Sequence, residues 1–501
     1  MTASRRPTLR LRAPLLGLLL ATGPAAAAPI AYEDALKLAM ERNPALLGAD
    51  QDLRSAQGAL LAAKGVFDPN LTASLSRASA LEQGLTFGFP TTTENRSGAW
   101  NLGVNKYFAT GTTTALNWSN SQNKTLYSAD NTERLEQVRQ LGFLNEDELF
   151  SSRLTATVTQ PLLEGFRMAT NLSAVRSARS AETQAEAERA RVRQQTLSDT
   201  AKAYWALHRA TQLHALARAS LEVAREEQRV VEAKVVEGSL APLERARVAA
   251  AVVQAESALM DAGVAERQAS DALQLLVGGQ PGEGLEATTP PAEVLDLPID
   301  AEAAVRAAMA QNPSLQALRL RVDNAEQDLG DARHRMLPQL DATASYGLAG
   351  FEVGTDTDPT NSAVTAASIF DGEQRSWSIG ANLSVPMGNR AARGGLDQRG
   401  AALQRLKLDE QALARSVEQQ VRAQVDTLRA GRARVALAEA NLRFAEETLD
   451  AERALQSTGR TVQQNVLTAI KNVDNAKIAL QQARSDHLVA IIELERLKGS
   501  L

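Results

Sequence analysis

Two periodicities divide this chain. In one kind of segment apolar and polar residues alternate. Leu340, Ala342, Ala344, Tyr346 and Leu348 stand between Asp, Thr, Ser and Gly, and Trp377, Ile379, Ala381, Leu383 and Val385 between Ser, Gly and Asn. Leu154, Ala156 and Val158 alternate with threonines. Trp100, Leu102 and Val104 alternate too, as do Thr112, Thr114, Leu116 and Trp118, with Ala109-Thr110-Gly111 as a turn between the two runs. A period of two is the strand signature. Runs of about 9–11 residues suffice for one tilted crossing of a bilayer; a half-buried soluble sheet is the alternative reading.

The other kind of segment is helical and very long. No proline occurs from Asn171 to Gly238 or from Ala392 to Gly459. At a rise of 1.5 Å per residue each stretch would run about 100 Å. Each is followed by a second, antiparallel helix, over roughly 242–276 and 462–498. Such helices cannot bury an apolar stripe alone and must pack on neighbours, as in a coiled coil. Two further helices are expected, over roughly 33–65, ending near Phe67-Asp68-Pro69, and over roughly 300–336, broken near Asn312-Pro313.

The order of these segments repeats. ALKLAMERNPAL at 35–46 matches AVRAAMAQNPSL at 304–315, so that Asn43-Pro44 falls on Asn312-Pro313, 269 residues later. The same offset carries Pro69 onto Pro338, whereas Pro161 matches Pro386 at 225 and Gly238 matches Gly459 at 221. The first copy is therefore 44 residues longer between its two prolines, the difference between 269 and 225, which leaves room for one extra hairpin or a long loop elaboration. The domain plan that follows is a first repeat over 28–278, with strands within 70–160 and long helices over 169–276. A Pro- and Gly-rich linker follows at 279–298. The second repeat covers 299–501, with strands within 340–386 and long helices over 391–498.

The N-terminus changes the setting. Arg5, Arg6, Arg10 and Arg12 precede a short leucine-rich run, and Ala25-Ala26-Ala27 offers a cleavage site before Ala28, so residues 1–27 are expected to be a signal peptide. No later stretch shows 18 unbroken apolar residues, so no transmembrane helix is expected. An exported chain with bilayer-length strands and no such helix points to an outer-membrane barrel. The chain is 44% hydrophobic but only 4% aromatic, which favours long helices, and its net charge of −5 gives no reason to expect nucleic-acid binding. There is no cysteine, so thiolate chemistry is excluded. His208, His214, His334 and His487 are scattered, without metal-ligand spacing, and VGGQPGEG lacks the Lys-Ser/Thr of a phosphate loop. Neither a metal, nor a cofactor, nor an enzymatic activity is expected.

The duplicated Asn-Pro helix starts, the proline before and after each strand region (Pro69, Pro161, Pro338, Pro386) and the final stretch STGRTVQQNVLTAIKNVDNAKIALQQARSDHLVAIIELERLKG resemble the TolC-type outer-membrane factors over nearly all of the chain past residue 27. The resemblance implies a mixed α+β membrane protein, homotrimeric, in which a transmembrane β-barrel is continued by a long periplasmic α-helical barrel built from two internal repeats. It implies the passive exit channel of a tripartite efflux pump or type I secretion system, contacting outer-membrane lipid. A periplasmic adaptor (membrane fusion) protein would dock on the helix tips and an inner-membrane pump would supply the energy. The docking tips would be Gly238, Ser239 and Leu240, within Gly238–Arg245, and Gly459, Thr461, Val466 and Leu467, within Ser457–Leu467. Family members have two strands per repeat and twelve per trimer; four strands in this first repeat would give eighteen. Family members also place acids shortly after each tip glycine as a gate. Here the first position is Glu244, but the second-copy positions hold Asn465 and Thr468, with a basic residue nearby at Arg460. The reading from a different class is a periplasmic coiled-coil adaptor or scaffold, which fits the long helices but not the alternating strands.

Overall fold

The computed structural model describes residues 28–86, 88–144, 146–290, 300–354, 362–371, 374–458 and 460–500. The signal-peptide segment and Gly459 lie outside the described residues. Along the chain run β1 (Ala28–Ile30), α1 (Tyr32–Arg42), α2 (Pro44–Lys64), β2 (Asn70–Thr86), β3 (Phe89–Tyr107), β4 (Thr113–Ser128), α3 (Thr132–Gln140), β5 (Glu148–Pro161), α4 (Met168–Asn171), α5 (Ser173–Val236) and α6 (Pro242–Val277). Then follow β6 (Leu285–Ala287), α7 (Ala301–Gln311), α8 (Pro313–His334), β7 (Gln339–Gly354), α9 (Ser362–Ser368), β8 (Gln374–Ser384), α10 (Arg390–Ser457) and α11 (Gln463–Lys498). Two compact units form: Met1–Leu47 with Val192–Ala308 and Gln419–Leu501, and Gly48–Arg191 with Met309–Glu418.

The second of these units carries a six-stranded antiparallel sheet in the order β2-β3-β4-β5-β7-β8. Four strands come from the first half of the sequence and two from the second, so the 44-residue excess is a hairpin. Its turn is the expected one: the Gly111 amide donates to the Phe108 carbonyl, and Gly111 has φ +83° beside Asn171, whose Nδ2 holds the carbonyls of Ala109 and Gly165. The strands are 11–19 residues long, longer than the 9–11 read from alternation, because Ser-, Thr- and Asn-rich sequence goes on pairing past the last alternating apolar residue. Pro69 and Pro338 stand one residue before β2 and β7, Pro161 ends β5, and Pro386 follows β8.

Register sorts the side chains by face, since directly paired residues project to the same side. Leu71, Val104, Leu116, Ala156, Tyr346 and Trp377 form one cross-strand row, and Ala73, Leu102, Trp118, Leu154 and Leu348 the next. The opposite face carries Thr72, Gly103, Asn117, Thr155, Gly347 and Ser376 in one row. One face is thus apolar and the other hydroxyl- and amide-lined, yet the apolar face is not covered as a core would be: Leu75, Trp377 and Ile379 are exposed by 85%, 73% and 77%.

The predicted helices over 33–65 and 300–336 are both broken at their Asn-Pro step, the first as well as the second. The Asn43 side chain accepts from the amides of Ala45 and Leu46, and Asn312 accepts from those of Ser314 and Leu315. Proline at the first helical position has no amide to satisfy, and the asparagine carbonyl takes the next two. Buried Asn43 also donates to the Leu276 carbonyl at the end of α6.

The region read as a linker holds structure too. β6 pairs in parallel with β1, and between them the Tyr204 hydroxyl donates to the Ile30 carbonyl and accepts from the Thr289 amide. Around this pair lies the core of the first unit: Ala35, Ala39, Trp205, Leu207, Leu273, Val277 and Ile492. Polar links tie its long helices together. Arg225–Glu256 and His214–Glu266 join α5 to α6, Lys202–Glu493 and Ser220–Asp474 join α5 to α11, and Arg484–Glu439 joins α10 to α11. A correction concerns membrane-spanning hydropathy. α6 contains an 18-residue window of mean hydropathy 1.3, enough by length and composition to cross a membrane. Its alanine and valine run, interrupted by few charges, raises the mean without forming an unbroken apolar stretch.

Glu493 illustrates the energetics of these links. The hydrogen bond from Arg496, joined by one from Lys202 and opposed by burial, holds its carboxyl down at about 2. A depressed carboxylate stabilises the fold above its unfolded value, and that contribution disappears as pH falls through the folded one. Glu493→Gln should therefore lower the unfolding free energy at pH 7, read from urea denaturation of the helical circular-dichroism signal, by about 1 kcal/mol for a half-exposed pair. The difference from the parent should close between pH 4.5 and about 2.

Candidate functional site

The two hairpins of long helices end in short turns, and these are the candidate docking and gating elements. At the first, the Ser239 amide donates to the Lys234 carbonyl and the Gly238 amide to the Val235 carbonyl, with Gly238 at φ +77°. This is a Schellman closure, which needs the left-handed conformation that glycine supplies without strain. Pro242 then opens α6 at its first turn, leaving Ser239 exposed and Leu240 half-buried between the helices.

Glu244 stands on the first turn of α6, where an acid suits the positive end of the helix. Its Oε1 accepts from Arg247 at 2.8 Å, while Oε2 is inaccessible and has no partner. Within one chain, then, the described partner of Glu244 is Arg247 rather than Arg460. Arg460 is exposed, its amide closing the α10 end on the Leu455 carbonyl.

At the second tip the chemistry is differently arranged. Thr461 donates to Glu452 at 2.8 Å and accepts from Asn465 at 3.0 Å, and the Thr468 hydroxyl turns back to the Gln464 carbonyl. Val466 is buried with Leu449, Ala469 and Val473, so it anchors the turn; Leu467 is half-buried beside it. Glu452 escaped the sequence reading because it precedes the tip glycine instead of following it. The relevant signal was an acid one helical turn or two before Gly459, with a threonine just beyond the turn.

Between α5, α6 and α11 lies a groove of about 720 Å³, lined largely by alanines with Glu227, Gln254, Asp261, Lys471 and Asp474 among them. Burial pushes the Glu227 carboxyl above its ordinary value, partly offset by Lys234 and Arg453. His208 and His487 are pushed down by burial, and His214 meets Glu266 at 2.6 Å, so these imidazoles serve helix packing.

Comparison with known proteins bears on this arrangement. A profile of the outer membrane efflux protein family matches residues 304–500. The outer membrane efflux protein BepC of Brucella suis is 26% identical over 356 residues, 70% of this chain and 73% of its own length. Residues 304–500 thus match the outer membrane efflux protein family, and the chain is similar to TolC-type outer-membrane factors. The outer membrane protein TolC of Vibrio cholerae is 28% identical over 203 residues, spanning 40% of this chain and 44% of that protein. The Campylobacter jejuni CmeC outer membrane channel superposes with a TM-score of 0.66 at 14% identity, covering 94% of this chain and 85% of that one. These similarities support a place in the outer membrane with a large periplasmic part, as an exit channel for efflux. The scaffold alternative gives way, because its sheet had no use for an uncovered apolar face.

The tip geometry yields a direct expectation. Gly238→Val should lower stability by about 1–2 kcal/mol, because a branched residue resists the left-handed region. Gly238→Asn should lose much less. Thermal unfolding of the two variants side by side measures the difference.

Proposed function

We propose that three copies of this chain close one barrel and form the exit duct of a tripartite efflux pump or type I secretion system, gated at the periplasmic helix tips. The observation that carries the proposal is the two-faced sheet with free edges at β2 and β8. In lipid an unpaired strand edge leaves amides and carbonyls without partners, and closure with neighbouring copies removes both edges. Six strands per chain make eighteen per trimer. The apolar rows run from Leu340 to Gly350 along β7, about 33 Å of strand, or about 25 Å of membrane height at the usual tilt. Lys106, over the Phe108 ring at 5.1 Å, suits the lower boundary of that band, and Arg375 its upper end. The polar face lines a water-filled pore.

The long helices supply the periplasmic wall. Val253, Met260 and Leu275 on α6 are exposed by 65%, 67% and 60%, a surface suited to packing against helices of a second copy. An internal duplication accounts for the recurrence of the same element order in both halves.

The gate follows from the tips. Glu244 supplies a three-fold ring of acids, and Arg460 is free to approach it from a neighbouring copy. Each such contact to the partly buried Glu244 contributes about 0–1 kcal/mol, so three of them bias an equilibrium between closed and open tips rather than lock it. Asn465 and Thr468 leave the second ring uncharged, so the channel selects cations more weakly than a relative with both acids. Opening is a shear of packed helices. An adaptor docks around Gly238–Arg245 and Ser457–Leu467, and the pump it brings supplies the energy.

Two measurements test this. Cross-linking the carbonate-resistant outer-membrane fraction should give a trimer; a monomer extracted by carbonate would remove the barrel. In planar bilayers, Glu244→Ala should raise single-channel conductance and reduce cation preference, and an unchanged channel would remove the gate assignment.

A further inference from the structure

One row on the apolar face of the sheet is unsuited to lipid. Asn120, Ser152 and Gly350 are direct cross-strand neighbours, and the same row continues to Trp100 and Leu75. Asn120 and Ser152 are only 2% and 1% exposed, and Phe150 beside them 3%, although Leu75, Trp377 and Ile379 on the same face lie open. What covers them is the connection between β7 and β8. The end of α9 and the turn after it lie against β4, β5 and β7, burying Thr365 and Ile369 completely. A Cβ at Gly350 would stand 3.1 Å from both the Thr365 carbonyl oxygen and the Ile369 amide nitrogen, so this row is narrow because another backbone crosses it. Trp118 Nε1 donates to the Ser152 hydroxyl at 3.1 Å, and the Trp118 ring meets Phe370 edge-on at 6.5 Å and Trp100 at 5.2 Å. Phe370 itself is 66% exposed.

We infer that residues 365–370 form a strap on the outer wall of the barrel, at the upper rim of the apolar band, with Phe370 inserted among outer-leaflet lipid chains beside Trp100 and Trp118. The inference rests on the barrel reading above, which makes this face the lipid-facing one. Three arguments point outward rather than into the pore. The strap lies on the face that bears Leu75, Leu102, Leu116 and Ile379, and the opposite face carries the hydroxyls and amides. Its seat is a polar and glycine row at the upper end of the apolar rows, with Trp118, Leu154 and Leu348 below it and Arg77, Gln122 and Glu352 above, which is what a backbone needs and lipid does not. Its exposed residue is aromatic, and aromatic rings concentrate at bilayer boundaries.

The chain has no cysteine, so single nitroxide labels can be placed cleanly at Phe370→Cys, Ile379→Cys and Ser378→Cys in the trimer reconstituted in lipid vesicles. Collision with oxygen, which partitions into lipid, is compared with collision with a water-soluble nickel chelate. The expected result is an oxygen-to-nickel ratio several-fold higher at 370 and 379 than at 378. A ratio at 370 equal to that at 378, with 379 still high, overturns the strap while leaving the barrel intact. Equal ratios at 379 and 378 overturn the barrel reading and the strap with it. Ile369→Asp in the 370-labelled protein should release the strap, raising label mobility and dropping the ratio at least two-fold while the trimer persists. No change would show that the strap is not seated there.

Discussion

The backbone's demand for hydrogen-bond partners organises this molecule. A helix meets that demand within itself, and a strand meets it only by lying beside another strand. The chain uses strands where one face is apolar and the other polar and helices elsewhere, and the prolines stand where one solution gives way to the other. Pro69 and Pro338 have no amide to offer just ahead of the ladder, and Pro161 ends one. Among the described residues the sheet nevertheless begins on β2 and ends on β8, each with one side unpaired.

The helical portion solves a different problem with little apolar surface. Its helices are long, rich in alanine and charged residues, and held by a short core around Tyr204 and Trp205 with polar ties further along. Alanine allows close helix approach and contributes little burial per residue, so adhesion is spread thinly over a great length. Such an interface resists sliding less than a core packed with large side chains would.

Much of this was legible in the sequence, because both periodicities are long and regular. The alternation around Tyr346 and Trp377, the proline-free stretches and the Gly111 turn each state a local rule without competition from tertiary structure. The illegible parts depended on contacts between distant residues. Nothing near Leu285 announces a strand, since β6 has only three residues and exists through its pairing with β1. The break at Asn43 was hidden by a fluent helical pattern on both sides. The tips were the least readable: a gate built on spacing after a glycine pointed to Asn465 and Thr468, and the structure brings Glu452 to Thr461 from the other arm.

The two return helices, α6 and α11, are both 36 residues long, and both enter the same core, α6 through Val277 and α11 through Ile492. Val277 closes α6, whereas Ile492 stands six residues before the end of α11. The arm from core to turn is therefore about 52 Å in the first hairpin and about 44 Å in the second. The bending of a beam held at one end grows with the cube of its length, so the first turn yields more readily to a sideways force than the second.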